Sequence, residues 1–356
     1  MKPPMVCAVT IPKSQRIIST TKIVQSISVS SSLNSTVRPE SRNRHATERL
    51  RAPLPIAASA ASLLFLTAAG VLFPGAPAAK PARAAAAAPP AAAAAPAAAS
   101  PDWSIRAIRY ATVPAFPLEG LMVGAPKDER IDIAMVVWLL RAGDRTVLFD
   151  SGFHRERWFK DFDIRDYLRP DEAVALAGVP ADAVTDIVIS HAHWDHLGGV
   201  DLFPKARVWI QKEEYAYYTG EAWQPEGRHG GIDPEDVAVL LHLNTEGRLR
   251  LVAGDDVEIL PGLRVYTGAR HTFASQYLRA ATAGGFFVLA SDNCYLDRNL
   301  AEGVASATFS ETDRPANLAA QKRMVALAGA RERVIPGHDQ RQFERFPTEG
   351  RVASIH

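Results

Sequence analysis

At 356 residues, with 40 Lys and Arg against 39 Asp and Glu, the chain has room for one large or two smaller domains and is close to neutral. The balance is uneven: residues 1–51 hold 9 basic and 2 acidic residues, Lys80 and Arg83 add two more cations, and the remainder holds 29 basic against 37 acidic residues. A body with a net charge near −8 lacks the basic footprint that a phosphate backbone needs, so nucleic acid is excluded as the expected partner.

In chain order, residues 1–51 read as a basic, disordered leader segment, followed by an apolar signal or anchor segment over 52–83. No charge falls between Ala52 and Ala79, and Leu63-Leu64-Phe65-Leu66 sits at the centre of that run. Ala76-Pro77-Ala78 and Ala82-Arg83-Ala84 offer small-residue cleavage sites. Pro53, Pro55 and Pro74 leave Ile56 to Phe73 as the best helical stretch, at the lower limit for a bilayer span. Cleavage after export is therefore the preferred reading, and membrane anchoring through 52–79 is the alternative. Both make the protein exported, periplasmic or membrane-anchored, whereas a cytoplasmic protein with an extended start is the competing reading. Residues 84–101 are an Ala/Pro-rich linker without the bulky side chains that offset the entropy of ordering a backbone. Residues 102–356 then form the one catalytic domain. Cys294 is its only cysteine, so it has no internal disulfide.

Short apolar runs bounded by turn residues predict strands over Ile105 to Val113, Ile133 to Leu140, Val147 to Phe149, Ile187 to Ile189, Val208 to Ile210, Val257 to Leu260, Leu263 to Tyr266, Phe286 to Ala290 and Val334 to Ile335. Helices are expected over Pro170 to Ala177, Asp236 to Leu243 and Ala316 to Ala328. Strands in hairpin-like pairs with interposed helices imply a layered α/β sandwich. Polar clusters follow several of the strands directly: Asp150-Ser151-Gly152, His191 to His196, His271, Asp292 and Gly337-His338-Asp339. Loops at strand ends are where binding groups concentrate, so these five are expected to converge.

His191 and His193 follow a strand and stand two apart, which puts both imidazoles on one face of extended backbone and lets them approach one cation. Asp195 and His196 come next, before a turn at Leu197-Gly198-Gly199, and supply an oxygen and a nitrogen for a second ion. Asp150 has two readings of equal weight, an acceptor for a ligand histidine's second N–H or a turn residue.

The run His191-Ala192-His193-Trp194-Asp195-His196-Leu197-Gly198-Gly199 resembles the H-x-H-x-D-H signature of the metallo-β-lactamase fold superfamily. The resemblance implies a four-layer αβ/βα metallo-β-lactamase sandwich, of α/β class, preceded by the non-globular leader. It implies His191, His193 and His271 on one ion, Asp195, His196 and His338 on another, and Asp292 shared between them. Two divalent metal ions are thus expected, with zinc the metal that suits nitrogen and oxygen donors.

Asp292-Asn293-Cys294-Tyr295 is similar to the D-x-x-Y arrangement of N-acyl homoserine lactonases. What that implies is a quorum-quenching hydrolase that opens a lactone ring by attack of a metal-bridging hydroxide on the carbonyl. Tyr295 would stabilise the oxyanion and Asp195 would pass a proton to the leaving alkoxide; a packing role for Tyr295 is the alternative. The partner is a small-molecule lactone or ester. Competing readings are a pyridoxolactonase-like or organophosphate hydrolase, and a catalytically silent exported metal-binding protein. Homodimerisation is also implied by the resemblance, although the sequence carries no interface pattern.

Met122, Met135, Trp138, Phe153, Trp158 and Phe159 are candidates for an apolar wall around an acyl chain, weighed against ordinary core roles. Tyr215, Tyr217, Tyr218 and Trp223 make an aromatic patch expected on a loop or lid. Where many relatives have Pro-Gly after His-Thr, this chain reads His271-Thr272-Phe273-Ala274, so another backbone path is expected there. Cys294 is expected to be a buried thiol rather than a ligand.

Overall fold

The computed structural model describes residues 102–355; the segments assigned above to 1–51, 52–83 and 84–101 lie outside the described residues, as does His356. Among the described residues no helix is long and apolar enough to cross a membrane.

The first sheet is built on a long hairpin, β1 (Ser104–Pro117) and β2 (Arg130–Ala142), extended by β3 (Arg145–Phe149). Three short strands, β4 (Asp186–Val188), β5 (Arg207–Gln211) and β6 (Leu249–Val252), continue it in parallel. The second sheet comprises β7 (Val257–Leu260), β8 (Leu263–Thr267), β9 (Gln276–Thr282), β10 (Gly285–Ser291) and β11 (Val334–Pro336). Two strands from the end of the chain, β12 (Thr348–Glu349) and β13 (Val352–Ser354), return to the first sheet. The strand orders are β12-β13-β1-β2-β3-β4-β5-β6 and β11-β10-β9-β8-β7.

Strand β2 shows why the two sheets stack. Ala134, Val136, Trp138 and Leu140 face one way and pack with Leu263, Val265, Leu278, Phe287 and Leu289 of the second sheet. The alternate residues Met135, Val137 and Leu139 face the other way, into a separate core with helix residues Ala173, Val174, Leu240 and Leu243. A strand apolar on both faces must be covered on both, which makes it a middle layer. The outer core is contributed by α1 (Trp158–Asp161), α2 (Pro170–Leu176), α3 (Trp194–Leu197), α4 (Lys212–Tyr218) and α5 (Pro234–Thr245). Helix α5 starts with the signal its sequence carries: Asp233 caps it by accepting from the Glu235 N–H at 3.0 Å, and Pro234 follows. On the far side, α6 (Asp297–Glu302) precedes α7 (Arg314–Ala328), whose Ala320, Met324 and Ala328 cover Tyr266, Tyr277, Val288 and Ala290. A short α8 (Gln342–Arg345) follows β11. The result is helix, sheet, sheet, helix, the four layers expected.

Four strands were not legible: β6, β9 and the short β12 and β13. β9 reads Gln-Tyr-Leu-Arg-Ala-Ala-Thr, and its Arg279 is accommodated because the guanidinium lies over the Phe286 ring at 4.1 Å. β6 is an edge strand whose Arg250 and Leu251 face solvent, so it has neither an apolar run nor a clean alternation. β1 also runs four residues past its predicted end, with register shifts near Arg109 and Val113 that restore its pairing.

Candidate metal centre

Four strand ends meet at one end of the sandwich, and the chain right after each carries a functional group: Asp150 after β3, Ser190 and His191 after β4, Asp292 after β10, and His338 after β11. Parallel β3 and β4, and parallel β10 and β11, make this convergence a consequence of topology. The two sheets are joined there by polar contacts: the Asp150 carboxylate accepts from the Ser190 N–H at 2.7 Å, the Ser190 hydroxyl at 2.9 Å and the Ser291 hydroxyl at 3.0 Å. Asp150 and Ser291 both adopt positive φ, 62° and 46°, backbone strain maintained by that network. Gly199 is required by close approach, because a Cβ there would lie 2.1 Å from the Ser151 carbonyl oxygen. Gly337 is similar, with an added Cβ 2.8 Å from the Ser291 backbone and 3.1 Å from Asp292 Oδ1.

The seven residues expected to hold metal lie together in two groups, His191, His193, His271 and Asp292, and Asp195, His196 and His338. His193 Nδ1 is 3.0 Å from both His191 Nε2 and His271 Nε2. Asp292 stands between the groups: its Oδ2 is 3.1 Å from His271 Nε2 and 3.7 Å from His191 Nε2, while its Oδ1 is 3.0 Å from His338 Nε2 and 3.3 Å from His196 Nε2. Asp195 Oδ2 completes the second group at 3.4 Å from His196 Nε2 and 3.8 Å from His338 Nε2.

Whether this set fits cations is tested by its hydrogen bonding. The outward nitrogens of four histidines have protein partners: His191 Nδ1 meets Ser190 Oγ at 2.8 Å, His196 Nδ1 meets Asp150 Oδ2 at 2.9 Å, His271 Nδ1 meets Thr308 Oγ1 at 3.0 Å and His338 Nδ1 meets the Ala134 carbonyl at 2.9 Å. A hydrogen on each outward nitrogen leaves a lone pair on each inward one. Inward, His196 Nε2 and Asp292 Oδ1 are buried with no hydrogen-bond partner. Buried acceptors facing one another at 3 Å need a cation between them. The donor set therefore fits two divalent metal ions.

Burial holds His191 well below the usual imidazole range and His193 down to about 3, so both stay neutral as ligands require. At His196 and His338 burial acts the same way, but the carboxylates of Asp195 and Asp292 outweigh it and raise both. That concentrated negative potential attracts cations. Burial, with Asp292 adding to it, pushes the Tyr295 phenol well above its usual range, so it remains a hydrogen-bond donor.

The structure decides between the two readings of Asp150, which takes the His196 Nδ1 hydrogen. Cys294 is buried, donates to the Leu296 carbonyl at 3.3 Å and is outside both groups. Among the proposed wall residues, Trp138 belongs elsewhere: it sits between the sheets and donates to Gln342 Oε1 at 3.1 Å. Met122 and Met135 are buried in the outer core. Phe153 and Trp158 do surround Trp194 of the ligand loop, with Trp158 stacked on it at 4.6 Å and Phe153 edge-on at 4.5 Å, and Phe159 packs behind Phe153. Tyr215, Tyr217 and Tyr218 are on α4 rather than a loop, and Trp223 lies in the short turn after it.

Sequence reasoning missed Glu214. Adjacent Glu213 and Glu214 in the first turn of α4 look like a solvated helix start, which the macrodipole favours anyway. Instead Glu214 is fully buried and ties the two loops of the first group together. It accepts from the Ala192 N–H at 2.9 Å, between His191 and His193, and from the Thr272 hydroxyl and the Ala274 N–H at 2.6 Å each, just past His271. In the same segment after His271, Phe273 stacks on Tyr217 at 4.1 Å. Glu214→Gln is expected to leave the fold intact and to weaken metal binding about 10-fold, as loss of a group supporting ligands usually does. Competition with a chromophoric chelator measures this, and an unchanged curve would remove Glu214 from that role.

Fold and site together define a metal-dependent hydrolase of the metallo-β-lactamase fold. The sequence profile of the metallo-beta-lactamase superfamily matches residues 135–285. The N-acyl homoserine lactonase AiiB of Agrobacterium fabrum is 28% identical over 236 residues, spanning 60% of this chain and 82% of that protein. The N-acyl homoserine lactonase AiiA of Bacillus thuringiensis subsp. kurstaki is 28% identical over 228 residues, spanning 60% and 84%. Among solved structures, a quorum-quenching N-acyl homoserine lactone lactonase superposes with a TM-score of 0.57 at 21% identity, covering 70% of this chain and 97% of its own. AidC, a dizinc quorum-quenching lactonase, superposes with a TM-score of 0.52 at 19% identity, covering 68% and 89%.

Proposed function

We propose that this hydrolase opens the lactone ring of N-acyl homoserine lactones, with the seven residues of the two groups holding two zinc ions. The observation that carries the reading is the Tyr295 phenol, a buried donor whose ring packs against His271 and His338, one ligand of each group, with centroids 5.8 Å away in both cases. The lactonases among its relatives support it. When bound, the two cations activate water and polarise the ester carbonyl.

The protein's own groups do the rest. Tyr295 donates its hydrogen to the carbonyl oxygen as negative charge develops there. Water supplies the hydroxyl that bonds to the carbonyl carbon, and its proton passes through Asp195 to the ring oxygen as the C–O bond breaks. The product is the open hydroxy acid. Phe153, Trp158 and Trp194 are buried and pack against one another in the outer core, so they brace the ligand loop and the acyl chain is not assigned to them.

Export belongs to the same proposal and rests on the basic and apolar segments over 1–83, with 84–101 as linker to the catalytic domain. A hydrolysis panel tests the reaction: short- and long-chain acyl homoserine lactones, a δ-lactone, a phosphotriester and a β-lactam. Acyl homoserine lactones are expected to be opened fastest. Preference for the phosphotriester or δ-lactone would move the assignment to an organophosphate or pyridoxolactonase-like hydrolase. Two bound ions without turnover of any substrate would overturn catalysis altogether.

A further inference from the structure

The group that aims Tyr295 is not among the residues its sequence motif suggests. Thr308 lies in the turn after α6, 37 residues from His271, and the backbone just before it is pinned: the Ala307 N–H donates to the Leu121 carbonyl at 3.2 Å, and the Ser306 N–H donates to Asn317 Oδ1 at 3.0 Å. Its hydroxyl has two partners, His271 Nδ1 at 3.0 Å and the Tyr295 phenol oxygen at 3.1 Å. A hydroxyl has one hydrogen to give and two lone pairs to receive, so the directions of these two bonds depend on each other.

His271 settles the first direction. Its Nε2 faces the other donors, 3.0 Å from His193 Nδ1 and 3.1 Å from Asp292 Oδ2, so with a cation held in this group the lone pair belongs on Nε2 and the hydrogen on Nδ1. His271 therefore donates to Thr308. The Thr308 hydrogen then has the phenol oxygen of Tyr295 as its acceptor. With that lone pair occupied, the Tyr295 hydrogen is free to turn toward the centre of the site, between His271 and His338, whose rings each stand 5.8 Å from that of Tyr295. Were Tyr295 to donate to Thr308 instead, its only hydrogen would point away from the reacting carbonyl.

We propose that Thr308 is a positioning residue: it receives the Nδ1 hydrogen of His271 and gives its own to Tyr295, so that binding at the first group of ligands presets the tyrosine O–H toward the substrate. The proposal rests on the assignment of Tyr295 as the oxyanion donor. It explains why a partly open turn places a threonine hydroxyl between a ligand histidine and a tyrosine, and it couples the two without either moving.

Thr308→Val keeps the shape and removes the hydroxyl, and Thr308→Ser restores it. In the full-length, zinc-loaded protein, Thr308→Val is expected to lower kcat for a short-chain acyl homoserine lactone about 10-fold with KM little changed, and Thr308→Ser to recover most of the loss. In a Tyr295→Phe background the same replacement is expected to cost almost nothing, because the hydrogen it orients is gone. A full Thr308→Val effect in that background would overturn the proposal alone. Native kinetics for Tyr295→Phe itself would overturn both the proposal and the lactonase mechanism. A measurement independent of turnover is the 15N spectrum of histidine-labelled protein: the His271 Nδ1–H signal is expected to shift in Thr308→Val and return in Thr308→Ser. An unprotonated Nδ1, or a signal indifferent to Thr308→Val, would overturn the relay even if no lactone were hydrolysed.

Discussion

Asp292→Asn is expected to reduce bound metal from two ions per chain toward one and to lower kcat/KM by about 10³-fold or more. Asp292 alone reaches both groups, with one oxygen 3.1 Å from His271 Nε2 and the other 3.0 Å from His338 Nε2. Asparagine keeps the shape but has no charge, and its amide would set hydrogens against imidazole lone pairs. Burial raises the pKa of Asp292, but the His196 and His338 imidazoles outweigh it and hold the carboxyl well below the usual range, so the charge is present in the native site. Charge stabilisation of several kcal/mol at such a centre, about 4 kcal/mol, corresponds to about 10³-fold in rate. Elemental analysis of the purified variant beside steady-state kinetics measures both consequences. Two tightly held ions with native turnover would remove Asp292 from its shared position.

Tyr295→Phe separates catalysis from metal binding. It is expected to lower kcat for a lactone by about 10²-fold, the usual cost of losing one preorganised oxyanion donor. Metal content should stay at two ions, because the phenol is not among the seven donors. The ring packs edge-on to His271 with centroids 5.8 Å apart, so phenylalanine keeps that contact and the backbone at Asp292. KM should change by no more than about twofold, since the lost bond strengthens only as charge appears on the carbonyl oxygen. Lower metal content in parallel with lower kcat would instead make Tyr295 a packing residue.

The local run His191 to His196 was the most legible feature of the chain, because donors for two cations are concentrated in six residues and the backbone period dictates which of them share a face. The later donors were legible only through their order and the resemblance, since one Asp or His after a strand carries little information by itself. Of their supports only Asp150 was legible, as one of two readings. Glu214 looks like any acidic residue at a helix start, and Thr308 and Ser291 carry no motif. Conversely, Trp138 had the composition of a pocket wall and sits between the sheets, because strand alternation alone does not say which of two buried faces looks toward the site.

By itself, then, the sequence determined the chemistry available to this protein: a layered α/β sandwich from its apolar strand runs, with four layers implied by the resemblance, and a nitrogen- and oxygen-rich metal centre from donors placed at strand ends. Only the tertiary structure decided how those donors are held. Asp150 and Thr308 meet ligand histidines 46 and 37 residues away, and Glu214 meets the Ala192 N–H, between two ligands and 22 residues away, through hydrogen bonds whose partners no local pattern specifies. Side-chain periodicity is a property of neighbouring residues and can be read along the chain. The orientation of a histidine depends on which distant oxygen meets its second nitrogen, and that is set when the sheets and loops close on one another.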